Sequence, residues 1–163
     1  MFHKQIIAIA GGLVGLAATA AAQPAPAVHV EHPWARATPP HAATGAVYLS
    51  LTASAADRFT GASTPAAAQA ELHESSMTAA GVMQMRPVDG LDLPAGKTVT
   101  LAPEHYHLML TGLKAPLVAG KTISVHLTFA HAAPVDVSVP VLRAGAAGPG
   151  GTKPIGDMPG MKM

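Results

Sequence analysis

The stretch TISVHLTFAHAAPVDVSVPV, Thr122–Val141, contains two runs of strict alternation. Ile123, Val125, Leu127 and Phe129 alternate with Thr122, Ser124, His126 and Thr128, and Val135, Val137, Val139 and Val141 alternate with Asp136, Ser138 and Pro140. A period of two in β-branched and aromatic residues predicts strands with one buried face. Pro140 has no N–H to give to a ladder, which suits an edge strand or a strand end. Earlier in the chain Val47, Leu49 and Leu51 alternate with Tyr48, Ser50 and Thr52 in the same way. Asp89-Gly90, Pro94-Ala95-Gly96, Ala102-Pro103 and Ala119-Gly120 punctuate the runs as turns. No amphipathic helical pattern stands out after the first residues. Many short antiparallel strands in a chain of this length predict an all-β sandwich of seven or eight strands, spanning residues 29–142.

The two ends read differently. Lys4 precedes an apolar run from Ile6 to Ala18, and Ala20-x-Ala22 then fits a signal-peptidase site before Gln23. That run is shorter than the roughly 20 residues of a membrane-spanning helix. Residues 1–22 therefore read as a cleaved export signal, with no membrane insertion of the mature chain. Residues 143–163 are rich in Gly, Pro and Ala, lack periodicity and read as a flexible tail. The tail closes on Met158, Met161 and Met163, an enrichment that core filling does not explain.

Ten Lys and Arg against nine Asp and Glu become balanced once Lys4 is removed, and no basic run occurs. Nucleic acid and anionic membrane surfaces are thereby disfavoured as partners. Cysteine is absent. Blue-copper centres, Fe–S clusters and Cys-type zinc sites all require thiolate, so a soft-metal site here must use thioether sulfur and imidazole.

One strand supplies such donors. Over His105–Thr111, Tyr106, Leu108 and Leu110 form the expected core face, leaving His105, His107, Met109 and Thr111 on the other. Met109 thus stands with the polar set, and His107 projects beside it, about 7 Å away along an extended strand. His73 alternates with Ala70 and Leu72, while Met83 and Met85 share a face of a strand expected over Val82–Val88. The connection from Glu74 to Gly81 is short enough for a hairpin that brings His73 to the methionines. Two imidazoles and two thioethers suit Cu(I), a soft closed-shell ion, better than they suit zinc or the oxygen-seeking Ca²⁺ and Mg²⁺.

Blander readings apply to the other candidates. A methionine pair is more often core filler than ligand, so Met83 is an auxiliary donor or a packing residue, and Met77 is an exposed loop residue. His29, His32, His41, His126 and His131 read as surface or loop histidines, and His105 as exposed. Trp34 is expected to pack on the sandwich end, with Arg36 in an ion pair or hydrogen bond.

The spacing His73–Met85–His107–Met109, in steps of 12, 22 and 2 residues, resembles that of the periplasmic copper chaperones of the PCu(A)C family. So do "WARATPP" (Trp34–Pro40), "ELHES" (Glu71–Ser75), "GVMQMRPV" (Gly81–Val88) and "YHLMLTGLK" (Tyr106–Lys114). The resemblance covers nearly all of residues 29–142. It implies a cupredoxin-like sandwich whose four residues hold Cu(I) at a surface site, and a periplasmic carrier rather than an enzyme. It further implies delivery toward cytochrome c oxidase assembly, with Sco-type proteins or an oxidase subunit as partners. The Met158/Met161/Met163 tail resembles the His/Met-rich extensions of some members but lacks His, which favours Cu(I) capture there. A CopC-like storage or resistance protein is the alternative, although Gln23 stands where those proteins place an N-terminal histidine. No paired carboxylates, nucleophile–base pair or His₃ set supports an enzyme.

Overall fold

A computed structural model describes residues 25–152. The expected signal segment 1–22 and Met158, Met161 and Met163 lie outside the described residues. Within them the chain forms twelve strands: β1 Val28–Arg36, β2 Thr44–Ala53, β3 Asp57–Ser63, β4 Ala67–Met77, β5 Met83–Pro87, β6 Leu91–Leu93, β7 Thr98–Leu101, β8 Tyr106–Leu113, β9 Thr122–Phe129, β10 Val135–Leu142, β11 Ala146–Gly148 and β12 Gly151–Thr152. No helix occurs among the described residues.

The main sheet runs β5-β4-β8-β2-β1-β10-β9-β3-β6, with β7 also paired to β2. A further pairing of Ala62 on β3 with Ala70 on β4 closes this sheet into a seven-stranded circuit, leaving β5, β6 and β7 outside it. The expected cupredoxin-like all-β sandwich is what forms. Its strands outnumber the seven or eight expected, because β6, β7 and the β11–β12 ribbon are too short to show a period. Nor is it wholly antiparallel: β1 and β10 pair in parallel at Ala35↔Val141 and Arg36↔Leu142. Val141 N donates to Lys121 O on the β9 side, so Pro140 N faces away from β9, one residue ahead of the β1 contact. Proline is tolerated there because no ladder bond is lost.

The main core is formed by the alternating residues that the sequence marks. Val47, Leu49 and Leu51 of β2, Leu108 and Leu110 of β8, Val125 and Leu127 of β9, and Val139 and Val141 of β10 are all buried together with Phe59. At about 25 cal/mol per Å² of apolar surface removed from water, burying each such side chain contributes on the order of 2 kcal/mol before chain entropy is counted.

A second cluster lies on the opposite face, and the alternation does not show it. Tyr48 and Ser50, read as a polar face, are 5% and 8% exposed, so β2 is covered on both sides. β1 carries one extra residue between Glu31↔Ser50 and Trp34↔Tyr48, a bulge at which His32 takes φ 49°. That extra residue sets Trp34 on the side of Tyr48, with ring centroids 4.4 Å apart. Ala146 of β11 closes over this pair, and Arg36 Nε donates to Ala146 O at 3.1 Å. The segment read as an unstructured tail from residue 143 therefore begins as a docked ribbon, held by contacts with residues about a hundred positions earlier.

Candidate metal centre

Strands β5, β4, β8 and β2 lie side by side, and their register stacks the predicted donors on one face. The β4–β5 hairpin forms as expected, with its connection shortened to residues 78–82. His73 on β4 sits opposite His107 on β8, Glu71 opposite Met109, and Ser75 opposite Met85 on β5. Directly opposed residues share a face, so His73, Met85, His107 and Met109 all project to one side. The His73 and His107 rings are 6.1 Å apart between centroids and 26° from parallel. An imidazole nitrogen holds a first-row ion at about 2.0–2.1 Å, which places the centroids of two rings sharing one ion roughly 6 Å apart.

Both rings are oriented by the main chain in the same way. His73 Nδ1 donates to Glu71 O and His107 Nδ1 to His105 O, each at 3.4 Å. A carbonyl can only accept, so the proton resides on Nδ1 and each Nε2 lone pair is left for a metal. His105, exposed as expected, serves through its carbonyl oxygen, which also receives Ser75 N at 2.9 Å.

Met85, His107 and Met109 line a depression of about 330 Å³ together with Ser75, Tyr48 and Arg36. Ser75 is small and buried, so Met85 can lean over it toward His107. His73 does not line the depression; it flanks His107 on the β4 side. His107 itself is only 5% exposed, which corrects the expectation of an open polar face on β8. Tyr48 covers it, with ring centroids 6.4 Å apart. The Arg36 guanidinium stands 5.7 Å from the centroids of both Tyr48 and Trp34. Arg36 thus makes the expected hydrogen bond, to Ala146 O, and among the described residues no ion pair. Trp34 caps an aromatic row that ends at His107, instead of the end of the sandwich.

Burial pushes the His107 pKa below its ordinary value, the bond to His105 O pulls it back in part, and the nearby His73 lowers it further. A buried histidine kept neutral binds fewer protons than its unfolded counterpart. The metal-free chain should therefore gain stability as pH rises from the lowered pKa of His107 to about 6.5, the unfolded value, with no further contribution above it. Denaturant titrations from about pH 5 to about 8 on wild type and His107→Gln should show that slope in wild type and a flatter one in the variant. Equal slopes would remove His107 as the source.

The side chains of His126 and His131 are exposed, on β9 and in the β9–β10 loop, as the sequence suggests; His126 pairs with Asp136 at 2.7 Å and His131 with the buried Asp57 at 3.1 Å. Among the described residues no group of three or more His, Asp or Glu could hold a metal ion. Thioethers are therefore needed to complete any site at the histidine pair.

Comparison with known proteins places the fold in the class of PCuAC domains. The copper-bound PCuAC domain from PmoF2 matches with a TM-score of 0.60 and 23% identity, over 74% of this chain and 97% of that one. The Cu(I) form of DR1885 from Deinococcus radiodurans matches with a TM-score of 0.53 and 32% identity, over 77% of this chain and 83% of that one. The chain belongs to the LpqE-like family, described as "Putative lipoprotein LpqE-like", whose model matches residues 28–141. A relative from Leifsonia xyli subsp. xyli, "Putative lipoprotein Lxx21020", is 43% identical over 81 residues, which are 50% of this chain and 49% of that protein. The chain thus spans about half the length of the curated relative it matches.

Proposed function

We propose that this is an exported Cu(I) carrier of the PCu(A)C type, with the ion held by His73, Met85, His107 and Met109. The observation that carries the reading is the pair of facing imidazoles, each with its Nδ1 committed to a backbone carbonyl, beside two thioethers at one depression. Two nitrogen and two thioether donors match the softness of Cu(I). Neither thioether must lose a proton to bind, and the buried His107 stays neutral into mildly acidic conditions, as a ligand must. The copper-bound and Cu(I)-bound structures of the PCuAC relatives support the choice of metal.

Copper is cargo here, not a resident cofactor. The donors are neutral, Met85 is 60% exposed, and among the described residues no carboxylate lines the depression, so the site suits entry and release by ligand exchange more than turnover of a substrate. Lipoprotein relatives and the N-terminal signal pattern support export to the periplasm. Delivery toward cytochrome c oxidase assembly, through Sco-type proteins or an oxidase subunit, follows from the PCu(A)C resemblance. X-ray absorption on the protein loaded with one Cu(I) should report two nitrogen and two sulfur ligands. A shell without sulfur, or one without nitrogen, would remove the assignment.

A further inference from the structure

The β4–β5 hairpin has two unlike faces. On one, Arg86 Nε and Nη2 donate to Glu74 Oε2 at 3.0 and 2.7 Å, and Ser76 opposes Gln84. On the other stand Met77, Met83 and Met85, which are 67%, 50% and 60% exposed. None of the three fills a core. Met77 and Met83 are directly opposed as the last pair before the turn, a geometry that places Cβ atoms about 5 Å apart and lets two flexible side chains bring their sulfurs to one ion.

The tip that carries them is well held. Thr78 N donates to Val82 O at 2.9 Å, Val82 N to Thr78 Oγ1 at 3.1 Å, and Gly81 N to Thr78 O at 2.9 Å. Gly81 takes φ 77°, a conformation open to glycine at little cost. Along the methionine face, His73 and His107 form one rung, Ser75 and Met85 the next, and Met77 and Met83 the third, at intervals of about 7 Å.

We propose that Met77 and Met83 form a second, weaker Cu(I) site at the hairpin tip, one rung beyond Met85. The proposal rests on the reading of His73, Met85, His107 and Met109 as the carrier site and adds the route by which the ion reaches it. Transfer inward is stepwise: Met85 binds the ion as a Cu–S bond to Met77 or Met83 breaks, and a Cu–N bond to His107 or His73 forms as the remaining bond to the tip breaks, with release running in the reverse order. The metal stays Cu(I), the thioethers lose no proton, and each released imidazole keeps its Nδ1–H.

The test uses the full chain labelled with ¹³C at the methionine methyls, with signals assigned by single Met→Leu variants and Cu(I) added anaerobically. The first equivalent should shift Met85 and Met109. The second should shift Met77 and Met83 together, and Met77→Leu should abolish the shift of Met83. Unmoved Met77 and Met83 signals at two equivalents, a second equivalent taken only by Met158, Met161 and Met163, or a Met83 shift that survives Met77→Leu would each overturn the proposal. Silence of Met85 and Met109 at the first equivalent is the separate failure of the carrier-site reading, because the two methyl pairs are scored independently.

Discussion

A His107→Ala, Met109→Ala double variant should bind Cu(I) at least about 100-fold more weakly than wild type. Losing one partner that merely orients a ligand costs roughly 10- to 100-fold in metal affinity, so losing two donors outright sets that range as a floor. His107 and Met109 carry the effect because they project from one strand into the depression that Met85 also lines. The two donors left, His73 and Met85, lie on separate strands, and neither shares a strand with the lost pair. A competition titration against a chromophoric Cu(I) chelator reads the change directly. Since His107 is buried under Tyr48, circular dichroism of the variant must show an intact fold before its affinity is interpreted. Wild-type affinity in a folded double variant would sink the assignment.

The largest loss of stability is expected at Asp57, at the start of β3. Its side chain is fully buried and its carboxylate accepts four hydrogen bonds: Arg58 N at 2.7 Å, His131 N at 3.0 Å, His131 Nδ1 at 3.1 Å and Ala132 N at 2.7 Å. These bonds tie the β2–β3 turn to the β9–β10 loop. Asp57→Ala leaves three backbone N–H groups without that acceptor, for a cost of about 3 kcal/mol. For a domain of this size that lowers Tm by roughly 10 °C. Burial alone would raise the carboxyl pKa, but the bonds from Arg58, Ala132 and His131 outweigh it and hold the pKa below the ordinary value. A depressed carboxyl stabilises the fold above its unfolded pKa of about 3.9, and that contribution disappears as pH falls through the folded value. Wild type should therefore lose part of its margin in acid that Asp57→Ala no longer has to lose. Cu(I) affinity should be unchanged in Asp57→Ala, since Asp57 pairs with Leu93 of β6 and not with the donor strands. A Tm within about 2 °C of wild type would show that the carboxylate is not holding the loop.

Much of the face that gathers the donors was legible from alternation. Leu72, Leu108 and Leu110 set the core side of β4 and β8, which fixed the side taken by His73, His107 and Met109. Alternation cannot say what lies over the other side. Tyr48 covers His107 because a bulge at His32 sets Trp34 beside Tyr48, and because the chain returns after Arg143 to place Ala146 on both. Those contacts join residues 36 and 146, and no local pattern encodes them. The tautomer of each histidine was equally hidden, since it depends on a backbone carbonyl two residues back whose direction only the folded strand defines. Met77 read as a loop residue because the strand before it ends in Glu74, Ser75 and Ser76, which carry no period-two signal.

The position of β5 at the rim of the sheet bears on the solubility of the protein. A strand with a neighbour on one side leaves a row of amide and carbonyl groups open to a second molecule, and such rows seed aggregates when they are long, flat and rich in branched or aromatic residues. Here the rim is five residues, MQMRP, with a cation at Arg86 and an end at Pro87, which has no amide hydrogen to offer. Methionine adds polarisable sulfur without the stiff, flat side chains that favour strand addition. The chain can thus present two thioethers to solvent on an open strand and still discourage its copies from stacking.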